Sequence, residues 1–148
     1  MQHVDLDAIR YTGADIVQEM IQHNKEEYEQ ESVCFLCMNL VRDELPETDL
    51  ILCRDGLVHL SFDDVFIVLK NICATKTTWF LATTFTDREE NDDILSGQWR
   101  TLNLERRPFN LPSPLRVLNE ECPHQNGIYS DKSLGLWRID DIRECLEK

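Results

Sequence analysis

Between residues 9 and 85, short apolar runs alternate with stretches whose apolar residues recur at helical spacing, and few folds accommodate that order. The run IRYTGADIV (9–17) reads as a strand that ends at Asp15. Val17, Met20, Ile21, Asn24 and Tyr28 then share one side of a helix of roughly three turns, with Gln, Glu and Lys opposite. SVCFLCM (32–38) is an apolar run of strand length, and Pro46 closes the loop Asp43-Glu44-Leu45-Pro46 to helix. Asp49 to Cys53 is the next strand. Ser61-Phe62-Asp63-Asp64 carries the Ser-x-x-acid start of a helix whose buried stripe is Val65, Val68, Leu69, Ile72 and Cys73. TTWFLATTF (77–85), rich in β-branched and aromatic residues, is a further strand. The order β-α-β-β-α-β predicts an α/β fold with a largely parallel sheet.

After Phe85 the pattern changes. Residues 86–113 have no period, yet Trp99, Leu102, Leu104, Phe109 and Leu111 are too apolar for a solvated linker. An ordered flap is expected. Pro114 to Glu120 and Ser133 to Ile139 then read as an antiparallel pair at the sheet edge, with Trp137 in the core.

At 148 residues with 42% apolar and 29% charged side chains, the chain is expected to form one domain. Its net charge of −13 repels phosphate backbones and argues against a general nucleic-acid binder. No run approaches the ~18 apolar residues of a membrane span. Met1 to Asp7 shows neither the basic flank nor the apolar stretch of a signal peptide, which points to the cytosol. Of six cysteines, Cys34 and Cys37 form a CxxC. On a strand they would face opposite sides, and no second pair follows, so the expectation is no metal and mostly buried, reduced cysteines. No Gly-x-Ser-x-Gly elbow or phosphate-binding loop supports a hydrolase.

One stretch points to chemistry. DLILCRDGLVHLS (49–61) drives an apolar strand straight into Arg54 and Asp55, and ligands of α/β proteins sit at the carboxyl ends of strands. YTGADIV, DLILCRDGLVHLS, TTF, GQWRTLNL, PFNLP and SDKSLGLW, taken in order, resemble the class I S-adenosylmethionine-dependent methyltransferases, and more narrowly a bacterial group among them. The resemblance covers the chain from about Tyr11 and implies a Rossmann-like sheet, largely parallel, with an antiparallel C-terminal strand pair. It implies that Asp15 accepts hydrogen bonds from the ribose diol of S-adenosylmethionine, the co-substrate, and that Ile16, Asn39, Leu40 and Arg54 also contact it. Asp55 or His59 would serve as base, and Trp99, Arg100 and Asn103 in the flap would cover or select a methyl acceptor. CRDGLVHLS also resembles the CRN-LIYF-type turn of chemotaxis-receptor methyltransferases, which would make the acceptor a protein carboxylate.

The family's first strand ends in a glycine-rich loop that lets the backbone approach the co-substrate. Here the five glycines stand at 13, 56, 97, 127 and 135, no two close enough for such a loop. The expectation is therefore a single partial domain over 1–148, lacking the first strand and inactive by itself. The family's second strand would pair directly with the fourth, a second copy or partner chain would supply a strand, or the chain would be a fragment of a longer protein with the gap partly open. The alternative is a non-catalytic methyltransferase-like module that pairs through that gap.

Overall fold

The structure, a computed structural model, describes residues 8–122 and 127–147. The first seven residues, read above for a leader, lie outside them. The chain divides into two compact units, one ending at Asp43 and one beginning at Glu44.

The first unit is a β-α-β element: β1 (Tyr11–Asp15), α1 (Gln18–Tyr28) and β2 (Val33–Cys37). The two strands pair in parallel, from Tyr11 opposite Val33 to Asp15 opposite Cys37. Ile21 of α1 packs with Val33, Phe35 and Tyr11 on one face of the pair. Gly13 is required there, because a Cβ would come within 2.7 Å of the Phe35 ring. Cys34 and Leu36 point to the opposite, exposed face. Cys37 is exposed as well, and of the six cysteines only Cys53 is buried, so the expectation of mostly buried cysteines is corrected. The physical reason at Cys34 is that a two-stranded pair with one helix covers only one side of its sheet, while Cys37 stands at the end of the strand, past the residues that the helix covers.

The second unit holds β3 (Leu50–Cys53), a 3₁₀ turn (Leu57–His59), α2 (Phe62–Ala74), β4 (Trp79–Phe85), β5 (Arg116–Asn119), β6 (Lys132–Arg138) and α3 (Ile139–Leu146). Its sheet runs β3-β4-β6-β5, with β3 and β4 parallel and both ladders of β6 antiparallel. The tail pair is thus antiparallel as expected, but only β5 is an edge. β6 lies between β4 and β5, so its alternate residues, including Trp137, are buried. Among the described residues β1 pairs only with β2, and β3 only with β4.

The core of this unit joins Val65, Val68, Leu69 and Ile72 of α2 to Phe80, Ala82 and Phe85 of β4 and to Trp137, Ile139 and Ile142. Gly135 makes room for Trp137, because a Cβ would meet the benzo ring at 2.2 Å. The indole Nε1–H of Trp137 donates to the Pro112 carbonyl at 2.7 Å. Helix α3 was not legible as an element, because eight residues contribute only Ile139 and Ile142 to the core. The Arg143 guanidinium fixes it by donating to the Cys73 carbonyl in the last turn of α2 (2.8 and 3.2 Å), where unpaired carbonyls favour a cation.

Residues 86–113 contain no strand or helix, yet they are ordered by side chains. Leu102 and Leu104 are fully buried, and Phe109 packs edge-on against Phe62 with centroids 5.3 Å apart. The segment also caps α2. Asp93 Oδ1 accepts from Phe62 N (2.8 Å), Ser96 Oγ accepts from Ser61 N (2.9 Å), and Ser61 Oγ accepts from Asp64 N, the bond its Ser-x-x-acid pattern predicts. These bonds satisfy amides that a helix start leaves unpaired, and they set carboxylate at the positive end of the helix.

Candidate functional site

The carboxyl end of β1 carries the first set of candidate residues. Asp15 Oδ1 accepts from Val17 N at 2.8 Å, which turns the chain from β1 into α1. Its Oδ2 faces no protein donor among the described residues, so the carboxylate keeps acceptor capacity for an outside hydroxyl pair. Ile16 is 65% exposed, and its carbonyl accepts from the Cys37 thiol. Asn39 has a local task that its sequence position did not reveal. Its side-chain oxygen accepts from Val41 N, and its backbone N–H donates to Asp43 Oδ2, which builds the turn after β2. Leu40 is half-buried in that turn.

The carboxyl end of β3 carries the second set. Arg54 and Asp55 are not paired with each other. Arg54 Nε binds Glu120 Oε1 at 2.6 Å, and both the hydrogen bond and the charge of Glu120 raise the guanidinium pKa. Lys132 Nζ lies 2.8 Å from each Asp55 oxygen and 3.2 Å from Glu120 Oε2. Asp55 adopts a left-handed backbone, φ 57°, and its N–H donates to Thr83 Oγ1 in β4 at 2.8 Å. Glu120 and Lys132 were not singled out in the sequence. The available signal was SDKS, where an acid and a base open the last strand.

His59 ends the 3₁₀ turn, and its Nδ1 sits 2.9 Å from the Gln98 carbonyl oxygen. A carbonyl only accepts, so in the neutral ring the hydrogen lies on Nδ1 and the Nε2 lone pair is open. Nε2 has no protein partner among the described residues, and the side chain is exposed. This is the geometry of a base oriented through its other nitrogen.

Of the three flap candidates, only Trp99 presents surface. It is 45% exposed and packs edge-on with Tyr129 (5.3 Å) and Phe85 (6.3 Å). Arg100 is buried, with three of its five N–H groups on the carbonyls of Asp92 (2.9 Å), Leu57 (3.2 Å) and Leu60 (2.9 Å). Burial lowers its pKa, and the guanidinium also lies over the Phe62 ring. Asn103 is 2% exposed and donates to the Thr86 and Arg88 carbonyls. Both residues therefore hold the flap in place, and their side chains are turned inward. Gly97 N and Arg100 N add bonds to the His59 and Val58 carbonyls, so the flap and the turn bearing His59 form one hydrogen-bonded piece. Among the described residues no group of three or more His, Cys, Asp or Glu could hold a metal ion. No helix among them is long and apolar enough to cross a membrane.

No protein-family model matches the chain, and no curated protein matches it. Several solved structures do. Human N-acetylserotonin methyltransferase, solved with SAM, superposes at TM-score 0.57 and 13% identity over 91% of this chain and 49% of its own. The 1,6-didemethyltoxoflavin-N1-methyltransferase of Burkholderia thailandensis gives 0.59 and 17% over 87% of this chain and 60% of its own. The N-methyltransferase NodS of Bradyrhizobium japonicum gives 0.56 and 12% over 87% of this chain and 72% of its own. The chain thus spans about half to three-fifths of the length of the first two. At these identities the likeness concerns architecture: the chain has the Rossmann-like α/β fold of the S-adenosylmethionine-dependent methyltransferases.

Proposed function

We propose that this chain is an S-adenosylmethionine-dependent methyltransferase domain of the cytosol. The observation that carries the reading is the likeness of architecture to methyltransferases over 87–91% of the chain, together with this chain's sheet β3-β4-β6-β5 with its antiparallel tail and the oriented imidazole of His59 in the turn after β3. Asp15 fits the ribose diol, because one carboxylate oxygen stays open while the other fixes the turn. In the first unit Ile16, Leu40 and Asn39 are the candidate contacts for the nucleoside, and in the second unit Arg54 is the candidate contact after β3. Trp99 faces the methyl acceptor, and Arg100 and Asn103 set the flap that carries it.

S-Adenosylmethionine supplies a methyl group already activated by its sulfonium. The acceptor lone pair forms the new bond to the methyl carbon as the carbon–sulfur bond breaks, and the electron pair leaves with sulfur. His59 Nε2 takes the acceptor proton. Asp55 is the weaker candidate for that task, because both of its oxygens face the Lys132 ammonium. The six cysteines are unpaired, in keeping with a reducing compartment.

A second reading is a non-catalytic module that pairs with a second copy or a partner chain. Among the described residues β1 and β3 each have one edge without a ladder partner, which favours it, as do Leu50 and Leu52, exposed at 44% and 49%. Titration calorimetry with S-adenosylhomocysteine tests the first reading. Saturable heat in the wild type, lost in Asp15→Ala, supports it. No heat at millimolar ligand rejects it, and light scattering that shows a concentration-dependent dimer then favours the module.

A further inference from the structure

The SDKS segment stands outside the roles assigned so far, yet its Lys132 joins three loop ends. Arg54, Glu120, Lys132 and Asp55 form one chain of alternating charge, drawn from the ends of β3 and β5 and the start of β6. Lys132 and Glu120 are largely enclosed, their side chains 13% and 14% exposed. Burial works against the lysine charge, but the bonds and charges of Asp55 and Glu120 outweigh it and raise the pKa. Lys132 is therefore a fixed cation and cannot itself act as the base.

What it holds is a backbone that does not hold itself. A left-handed φ at a residue other than glycine is an uncommon state with a local cost. At Asp55 two bonds maintain it, one from its own N–H to Thr83 Oγ1 and one from Lys132 to both carboxylate oxygens. Gly56 and the Leu57–His59 turn follow at once, so the setting of Asp55 decides where His59 begins.

We propose that Lys132 is a positioning residue. By clamping Asp55 it sets the turn that keeps His59 Nδ1 on the Gln98 carbonyl and Nε2 open. The inference rests on the methyltransferase reading for its purpose and on the ion chain for its geometry. On this assignment Asp55 serves the site as the handle that Lys132 grips.

The test is nitrogen NMR of the histidine side chains in the full chain, with His59→Gln assigning the His59 signals among the four histidines. The wild type and Lys132→Arg should show the Nδ1–H tautomer dominant, and Lys132→Met should lose that bias at least fivefold. Tryptophan fluorescence melting checks that each variant folds. A folded Lys132→Met with the wild-type tautomer ratio overturns the proposal, and so does loss of the bias in Lys132→Arg equal to that in Lys132→Met. Should Lys132→Met fail to fold, Asp55→Asn decides, since asparagine tolerates a left-handed backbone. A lost bias there supports the clamp, and a retained one refutes it. S-Adenosylhomocysteine calorimetry on the same samples keeps the two ideas apart. Absence of heat in the wild type rejects the co-substrate reading, while the tautomer ratios still judge Lys132.

Discussion

Arg100→Met is the most direct probe of how the flap is held. Methionine keeps most of the stem but removes the bonds to the Asp92, Leu57 and Leu60 carbonyls and the cation over Phe62. At about 1 kcal/mol net per bond the three amount to about 3 kcal/mol. Burial already disfavours this charge, as its lowered pKa records, so relief of desolvation returns part of that and leaves a loss of about 2–3 kcal/mol. The assay is urea unfolding followed by tryptophan fluorescence. Trp79, Trp99 and Trp137 all lie beyond Glu44, so the fluorophores belong to the second unit. Arg100→Lys should fall between, because an ammonium keeps the charge but cannot fork to carbonyls on three residues. Arg107→Met, at an exposed arginine of the same flap, should stay within about 0.5 kcal/mol of wild type. An Arg100→Met protein as stable as Arg107→Met would refute the account of Arg100 as the tie.

Two further expectations follow from packing. Gly135→Ala should cost about 2–3 kcal/mol, since its Cβ would overlap the Trp137 benzo ring and displace the indole from the Pro112 carbonyl. In a double-mutant cycle Trp137→Phe, which removes that ring, should cancel part of the loss, and strictly additive values would contradict the steric cause. Thiol labelling at pH 8 should reach Cys34 and Cys37 while Cys53 stays silent. Burial pushes the Cys53 thiol up to about 11, so its thiolate, the reactive form, is scarce until the unit unfolds or the pH nears that value. Rapid labelling of native Cys53 at neutral pH would be inconsistent with its buried position.

The strands were legible as short apolar or β-branched runs and the two longer helices by their 3.6-residue period, and their ends lie within two residues of the observed ones. Short elements escaped. The 3₁₀ turn and α3 carry too few apolar residues to show a period, and their positions depend on partners far along the chain, such as Cys73 for Arg143. The site was legible as residue types at strand ends and not as roles. Arg54 and Asp55 stood out as charges at a strand end, but their partners, Glu120 and Lys132, come from 66 and 77 positions away. Arg100 and Asn103 looked like contacts for a ligand because they are polar within an apolar segment. Polar side chains in such a segment also serve to satisfy its backbone, and no local pattern separates the two uses.

The caps of α2 have a consequence for the order of folding. Two of the amides at its start bind side chains 31 and 35 positions downstream, at Asp93 and Ser96. A ribosome therefore delivers the helix well before the groups that finish it. Until the later segment emerges and folds back, Ser61 alone can stitch the first turn, so this helix is completed from its far end toward its beginning.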